Sequence, residues 1–264
     1  MEIDFSESEI LRYARHILLP EVGGIGQAKL RASRVLIIGA GGLGSPLLLY
    51  LAAAGVGYIT IIDADTVELS NLQRQIAHRT ASLGENKAQS ATYTARALNP
   101  LIEIVPVPAR LDATNAASLI ATHDVICDGS DNFGTRFLLA DACALGRRTL
   151  VSAAVLRFEG QLSTFKPHAG GPCYRCLYPT APPDGLVPSC SEAGVFGAVT
   201  GVMGTLLATE VLKELLGVGE DLSGRLLIWD ALSMQFRTIR FPAMPDCALC
   251  GPAASIHDLS AHER

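Results

Sequence analysis

Positive charge is in short supply in this chain. Its 21 Lys and Arg are outnumbered by 26 Asp and Glu, for a formal net charge of −5. That balance leaves no broad basic surface to take nucleic acid or an anionic membrane as the main partner, although a small basic pocket is compatible with it. The N-terminal stretch Met1-Glu2-Ile3-Asp4-Phe5-Ser6-Glu7 is acidic and has neither the basic flank nor the apolar core of a secretory signal, so a cytoplasmic location is expected. A bilayer-length apolar run is missing too. Gly194 to Thr209 is free of charge but is soon followed by Glu210, Lys213 and Glu214, which is short for a span and dense in glycine. Gly197, Gly201, Gly204 and Ala208 recur on one side of this stretch and predict close helix packing, inside the protein or across a dimer. The seven cysteines, an odd number with no export signal, argue against a disulfide framework and for metal binding or thiol chemistry.

What is present begins with enough length, 264 residues, for one α/β domain with appendages and a core that needs no disulfide staples. The pivotal stretch is Val35-Leu36-Ile37-Ile38-Gly39-Ala40-Gly41-Gly42-Leu43-Gly44, followed by apolar Leu47 to Ala54. It reads as strand, glycine turn, helix. Gly39, Gly41 and Gly44 fit G-x-G-x-x-G, in which glycines allow a tight turn and bring backbone N–H groups at a helix N-terminus up to a phosphate. Glycine-rich strand ends can also be purely structural, so the motif needs company.

Upstream, Ser6 to Leu19 has helical spacing with Ser6 as N-cap and Arg15 on its polar face, where a solvated charge is the plain reading. Gly23-Gly24-Ile25-Gly26 predicts a break before the opening strand. Downstream, Tyr58 to Asp63 reads as a second buried strand ending in an acid about twenty positions beyond the loop, a placement suited to a ribose hydroxyl. Asp63 and Asp65 could instead serve a turn. Ser70-Asn71-Leu72-Gln73-Arg74-Gln75 is rich in side-chain donors, and Gly84-Glu85-Asn86-Lys87 opens a helix through Ala97. A triphosphate being cleaved needs cations where negative charge develops, whereas a hydride-donating dinucleotide does not.

The strands Ile102–Val107 and Asp124–Asp128 follow, with a helix from Ala113 to Ala121 between them. The second strand enters Gly129-Ser130-Asp131-Asn132, where ligands of open parallel sheets sit. Asp131 is a candidate Mg²⁺ ligand, or else the N-cap of a helix from about Gly134 to Leu145. After the strand Thr149–Ala154, the runs Leu162–Phe165, Arg225–Trp229 and Phe236–Phe241 lack crossover helices and predict antiparallel pairing.

Cys173-Tyr174-Arg175-Cys176 and Cys247-Ala248-Leu249-Cys250 are two Cys-x-x-Cys knuckles. Together they supply four thiolates for a closed tetrahedral zinc site, structural because no position is left for a catalytic water. A redox pair is the competing reading for either knuckle. Cys127 and Cys143 fall on apolar faces as small core residues. Cys190 follows a Pro/Gly segment just before the long helix, and is either a nucleophilic thiol or an exposed loop cysteine.

These residues together resemble the MoeB/ThiF/HesA family, bacterial relatives of the ubiquitin-activating enzymes. The likeness covers nearly the whole chain and rests on Arg15, the Gly39–Gly44 loop, Asp63, Asp65, Ser70 to Gln75, Lys87, Asp131-Asn132 and both knuckles. It implies an α/β fold: a Rossmann-like nucleotide-binding sheet, mainly parallel in the N-terminal half, continued by antiparallel strands and a four-cysteine zinc clip. The whole chain, 1–264, would form one adenylation domain, with a helical extension (1–32), a nucleotide-binding half (33–155) and an antiparallel, carrier-binding and zinc half (156–264).

The implied reaction adenylates the C-terminal Gly-Gly carboxylate of a small ubiquitin-like sulfur carrier with ATP and releases pyrophosphate. Gly39, Gly41, Gly42, Gly44, Asp63, Asp65, Ser70, Gln75 and Asn132 would bind nucleotide. Asn71, Arg74 and Lys87 would neutralise phosphates, and Asp131 would hold Mg²⁺. The resemblance further implies a homodimer in which Arg15 reaches the neighbour's phosphates, and Cys190 as a possible sulfur-transfer thiol. With the chain ending at Arg264 soon after the second knuckle, a separate sulfur donor is expected. The molybdopterin-synthase carrier is preferred over the thiamine-pathway one. An NAD-dependent oxidoreductase and a non-catalytic scaffold are the competing classes.

Overall fold

The computed structural model describes residues 4–183, 186 and 193–263. One eight-stranded sheet runs through it in the order β3-β2-β1-β4-β5-β6-β7-β8. The strands are β1 (Arg34–Ile38), β2 (Tyr58–Ile62), β3 (Glu103–Val107), β4 (Val125–Asp128), β5 (Thr149–Leu156), β6 (Glu159–Phe165), β7 (Arg225–Asp230) and β8 (Gln235–Arg240). The first five pair in parallel and the last three add on antiparallel. This is the parallel-then-antiparallel sheet that the family resemblance implies, and the last strands pair antiparallel as their lack of crossover helices predicts.

β1 shows why it is central. Its side chains alternate between two cores: Val35 and Ile37 enter one apolar cluster, Leu36 and Ile38 the other. A strand covered on both faces has no use for polar residues, which is why it reads as an unbroken apolar run. The chain leaves β1 toward β2 on one side and later fills β4 on the other, so a crevice opens at the carboxyl ends of β1 and β4. The backbones are close there: a Cβ on Gly39 would stand 3.0 Å from the Gly129 carbonyl oxygen.

Helices cover both faces. They are α1 (Glu7–Ile17), α2 (Gly23–Ala32), α3 (Gly44–Ala54), α4 (Lys87–Leu98), α5 (Ala116–Ala121), α6 (Phe133–Leu145), α7 (Tyr174–Leu177) and α8 (Gly197–Leu216). α1 starts on the expected cap, a capping box in which Ser6 and Glu9 satisfy each other's backbone amides.

The glycines after α1 correct the sequence reading. Gly23 to Gly26 do not lead directly from a helix break to the strand but open α2, a second helix. Burial explains the difference. Gln27, Ala28 and Leu30 pack inward, and Gly26 lets α2 approach α8 until a Cβ there would meet Leu216 at 3.0 Å.

α8 is the long glycine-bearing helix, and its Gly197 and Gly204 serve close packing within the chain, while a Cβ on Gly201 would meet nothing within 4 Å. A Cβ on Gly204 would run into Pro46 and the Leu43 carbonyl at the start of α3. No helix among the described residues is long and apolar enough to cross a membrane. Cys127 and Cys143 are core residues as expected, with burial pushing both thiols far up.

Candidate functional site

β1 runs directly into the glycine loop. Gly39 adopts φ +90°, a conformation L side chains rarely take, and a Cβ on Gly44 would collide with the Gly39 carbonyl. These two glycines therefore make the turn. Gly41 and Gly42 instead line a cavity of about 1060 Å³. The amides of Gly41, Gly42 and Leu43 have no partner among the described residues, and α3 begins without a side-chain cap. Unpaired amides at a helix N-terminus are donors for an anion, so the loop fits a phosphate group.

Asp63 closes β2. Its Oδ2 accepts from the Ala40 amide at 2.7 Å and its Oδ1 from the Asp65 amide at 2.8 Å. Burial pushes the Asp63 carboxyl above its ordinary value, against these amides and the nearby Lys87 charge, which favour the carboxylate. The residue thus combines turn chemistry with a place on the cavity wall.

Lys87 is delivered to the cavity by a cap. Asn86 Oδ1 accepts from the Gln89 amide at 3.2 Å while its Nδ2 donates to the carbonyls of Asp63, at 2.9 Å, and Asp65, at 3.2 Å. The first residue of α4 is therefore pinned beside the end of β2, and Lys87 Nζ lies 3.0 Å from Asp65 Oδ2. A cation in the first turn opposes the helix dipole. A position that breaks a local rule this way is where function is expected.

On the opposite wall, buried Asp128 ends β4. Its Oδ1 accepts from the Ser130 amide at 2.9 Å and hydroxyl at 2.6 Å, and its Oδ2 from the Ser152 hydroxyl at 2.7 Å. This fixes the turn that presents Asp131, which is exposed and makes no hydrogen bond or ion pair among the described residues. The N-cap of α6 is Asn132, whose Oδ1 accepts from the Thr135 amide at 2.8 Å, so the alternative of Asp131 as cap is corrected. Asp131 is left with a carboxylate facing the cavity, the donor type Mg²⁺ uses alongside phosphate oxygens.

Of the expected residues, the cavity also gathers Gly39, Arg74, Gln75 and Asn132. The buried Gln75 Oε1 has no hydrogen-bond partner. Gly44, Ser70, Asn71 and Arg15 do not line it. Asn71 Oδ1 instead accepts from the Glu68 amide at 3.3 Å, shaping the turn before Arg74. Arg15 lies exposed on α1. Cys190 falls outside the described residues.

Sequence reasoning missed several groups. Arg136 lines the cavity from α6 and donates from Nη2 to the Ser130 carbonyl at 2.7 Å. Tyr178 and Gln161 extend the wall toward the antiparallel strands, hydrogen-bonded to each other at 2.7 Å. His78 is buried under the loop, with its imidazole depressed by burial and by Lys87 and therefore neutral.

The four knuckle cysteines converge away from this crevice, with their sulfurs all within 4.8 Å of one another. Cys173 to Cys247 and Cys176 to Cys250 are each 3.4 Å apart, and Cys173 to Cys176 is 3.8 Å. A tetrahedral zinc with bonds of about 2.3 Å separates its thiolates by about 3.8 Å, so the set fits the metal with little adjustment. Burial opposes ionisation of Cys247, but the amides of Cys250 and Leu249 hold the thiol down to about 7. The Met244 amide also donates to Cys176 Sγ at 3.3 Å.

Beside the cluster, fully buried Asp141 accepts a two-pronged contact from Arg175 at 2.7 Å on each oxygen and a third from His262 Nε2 at 2.8 Å. The C-terminal segment is thus tied down at two points. Asp141→Ala leaves Arg175 without its buried counter-charge and should lower stability by about 3–5 kcal/mol. Equilibrium urea unfolding would read this as a large fall in midpoint; a shift worth less than about 1 kcal/mol would remove the second tie.

Residues 13–249 match the ThiF family. The chain is 51% identical over 259 residues to the adenylyltransferase and sulfurtransferase MOCS3 of Bos taurus, covering 98% of this chain and 57% of that protein. It is 45% identical over 263 residues to the sulfur carrier protein adenylyltransferase of Thermus thermophilus, covering 98% and 97%. The chain therefore spans little more than half the length of the bovine relative and nearly all of the bacterial one. Among solved structures, E. coli MccB crystallised with AMPCPP and MccA superposes with a TM-score of 0.81 at 21% identity, over 94% of this chain and 75% of that one, a likeness of fold alone. With the match running from α1 to the second cysteine knuckle, the chain belongs to the ThiF family.

Proposed function

We propose that this chain is a cytoplasmic adenylyltransferase that uses ATP and Mg²⁺ to activate the C-terminal Gly-Gly carboxylate of a small ubiquitin-like sulfur carrier. The observation that carries the reading is that one cavity gathers all of these groups. Loop amides, Asp63, Lys87, Arg74 and Asp131 stand at one end, and the space continues past Gln161 and Tyr178 toward the antiparallel strands. One end suits a nucleotide, the other an extended chain terminus. The names of two relatives, a sulfur carrier protein adenylyltransferase and an adenylyltransferase and sulfurtransferase, support the same reaction.

In this reaction a carrier carboxylate oxygen bonds to the α-phosphorus while the bridging oxygen to the β-phosphorus leaves with pyrophosphate. A C-terminal carboxylate is already ionised near neutral pH, so no general base is required. The chain's task is to align the two anions and neutralise the charge that collects on pyrophosphate. The loop amides hold phosphate oxygens, Lys87 and Arg74 supply cations, and Asp63 faces the ribose. Asp131 would hold Mg²⁺, which would supply positive charge to the phosphates. Zinc in the four-cysteine site has a structural role.

Within this reading the molybdopterin-synthase carrier is the preferred substrate, the thiamine-pathway carrier the alternative, and sulfur comes from a separate donor. The active form is a homodimer in which the partner's Arg15 meets the phosphates; its support is that Arg15 is exposed and lines no part of its own cavity. Cys190 would act after adenylation, in sulfur transfer. The test is pyrophosphate exchange into ATP with each carrier. Exchange that depends on a protein ending in Gly-Gly is the expected result. Tight NAD binding without ATP binding, or no exchange with either carrier, would overturn the assignment.

A further inference from the structure

His78 belongs to neither the glycine motif nor the cation set, yet it touches both. Its Nε2 lies 2.9 Å from the Ala40 carbonyl oxygen and its Nδ1 lies 3.0 Å from Ser90 Oγ. A carbonyl can only accept, so Nε2 carries the proton and the Ser90 hydroxyl donates to Nδ1. All three residues are buried. Ser90 sits on α4 on the same face as Lys87 and one turn further on.

We infer that His78 is a positioning residue that aims the Gly41 amide into the phosphate end of the cavity and sets the glycine loop against the helix carrying Lys87; this rests on the ATP reading of the site. The geometry follows from the planarity of the peptide. In a trans peptide the C=O of one residue and the N–H of the next point in opposite directions. Holding the Ala40 carbonyl toward the core therefore turns the Gly41 N–H away from it. That amide has no partner among the described residues, and a Cβ built on Gly41 would meet nothing nearer than Gln75 Nε2 at 3.7 Å.

The orientation needs a clamp because its neighbours are permissive. Peptide units flanked by glycine can flip at small cost, and Gly39 and Gly41 stand on either side of Ala40. The Ala40 amide is held by Asp63, but that bond belongs to the preceding peptide unit. Besides His78, only the Ser45 hydroxyl among the described residues reaches the Ala40 carbonyl, at a marginal 3.4 Å. Without His78 a buried carbonyl loses its main donor, and turning that peptide toward the cavity would replace a donor for phosphate with an acceptor that repels it.

The experiment is ATP binding by calorimetry, with steady-state exchange, on the full-length protein and three variants. His78→Leu should weaken ATP binding about tenfold or more, with the KM for carrier unchanged. His78→Gln offers an amide N–H at the position of Nε2 and should restore affinity to within about threefold of the parent. Ser90→Ala, which deletes only a hydroxyl and keeps a good helix former, should weaken ATP binding about threefold.

If the unaltered protein binds ATP and His78→Leu binds it equally well, the positioning role is overturned while the adenylation reading stands. His78→Gln as weak as His78→Leu would likewise overturn it. Should His78→Leu fail to fold, unchanged ATP affinity in Ser90→Ala overturns it. An unaltered protein that binds no ATP overturns both readings.

Discussion

Lys87→Ala should lower carrier-dependent pyrophosphate exchange by about 10³-fold or more, with little change in thermal stability. The size follows from the charge that one cation neutralises in phosphoryl transfer, where removal of a single preorganised group costs about 10²–10⁵ in rate. The small effect on folding follows from its partner. Lys87 is itself largely buried, but Asp65 across the 3.0 Å contact has a side chain 63% exposed, and pairs with one member in water contribute little. Lys87 is thus held at the cavity wall by the Asn86 cap and the end of β2, not by a strong counter-ion.

Asp131→Ala is the companion test, because the Asp131 carboxylate faces the cavity and makes no internal bond among the described residues. It should match the loss of exchange, with stability inside about 0.5 kcal/mol of the parent. Both variants are read by exchange rate against thermal midpoint. Near-normal exchange in either would dismantle the phosphate site, whereas equal losses of exchange and folding would reassign the residue to structure.

The residues that announced this site in the sequence are those whose chemistry and spacing are local. Gly39 to Gly44 is a turn whose parts lie within six positions, and each knuckle lies within four. β1 and β2 were legible because strands covered on both faces need continuous β-branched runs. Long-range contacts were not legible. His78 meets a carbonyl 38 positions away, and nothing around Ala77 or Arg79 marks it. Asp128 was visible as the end of a strand but not as the acceptor that shapes the turn before Asp131. α2 was hidden by its own glycines: Gly23 and Gly26 argue against a helix locally, and only packing against α8 makes the close approach favourable. Asn71 was visible as a donor in a polar run, but not as the acceptor that shapes the turn before Arg74.

The second large effect is expected at the metal clip. Cys247→Ser should abolish zinc retention, from one ion per chain to nearly none, and release the segment from Pro242 onward to limited proteolysis. The small apolar cluster there consists of Cys173, Cys176, Cys247 and Leu249, with Ala144, Cys250 and Ile256 against it. That is too little apolar mass to hold a tail without a metal. Structural zinc supplies roughly 10–16 kcal/mol in small metal-dependent folds, and even half of that matches the whole margin of an ordinary domain. The tie from His262 to Asp141 survives the substitution but anchors only the far end of the tail.

The nucleotide end should feel the loss far less. α7, which carries Cys176, is held to the body by aromatic packing as well as by metal. Tyr174 meets Phe137 edge-on at 5.2 Å and Phe165 at 5.4 Å, and the rings of Tyr174 and Phe165 line the cavity. ATP affinity in Cys247→Ser should therefore stay within a few-fold of the parent at a temperature where the body is folded, while the protein loses zinc and the tail becomes cleavable. Zinc retained at full stoichiometry, or a tail still resistant to protease, would show that the four sulfurs do not act as one clip. Loss of ATP binding in step with zinc would show instead that the metal, and not the aromatic packing, holds the wall of the cavity.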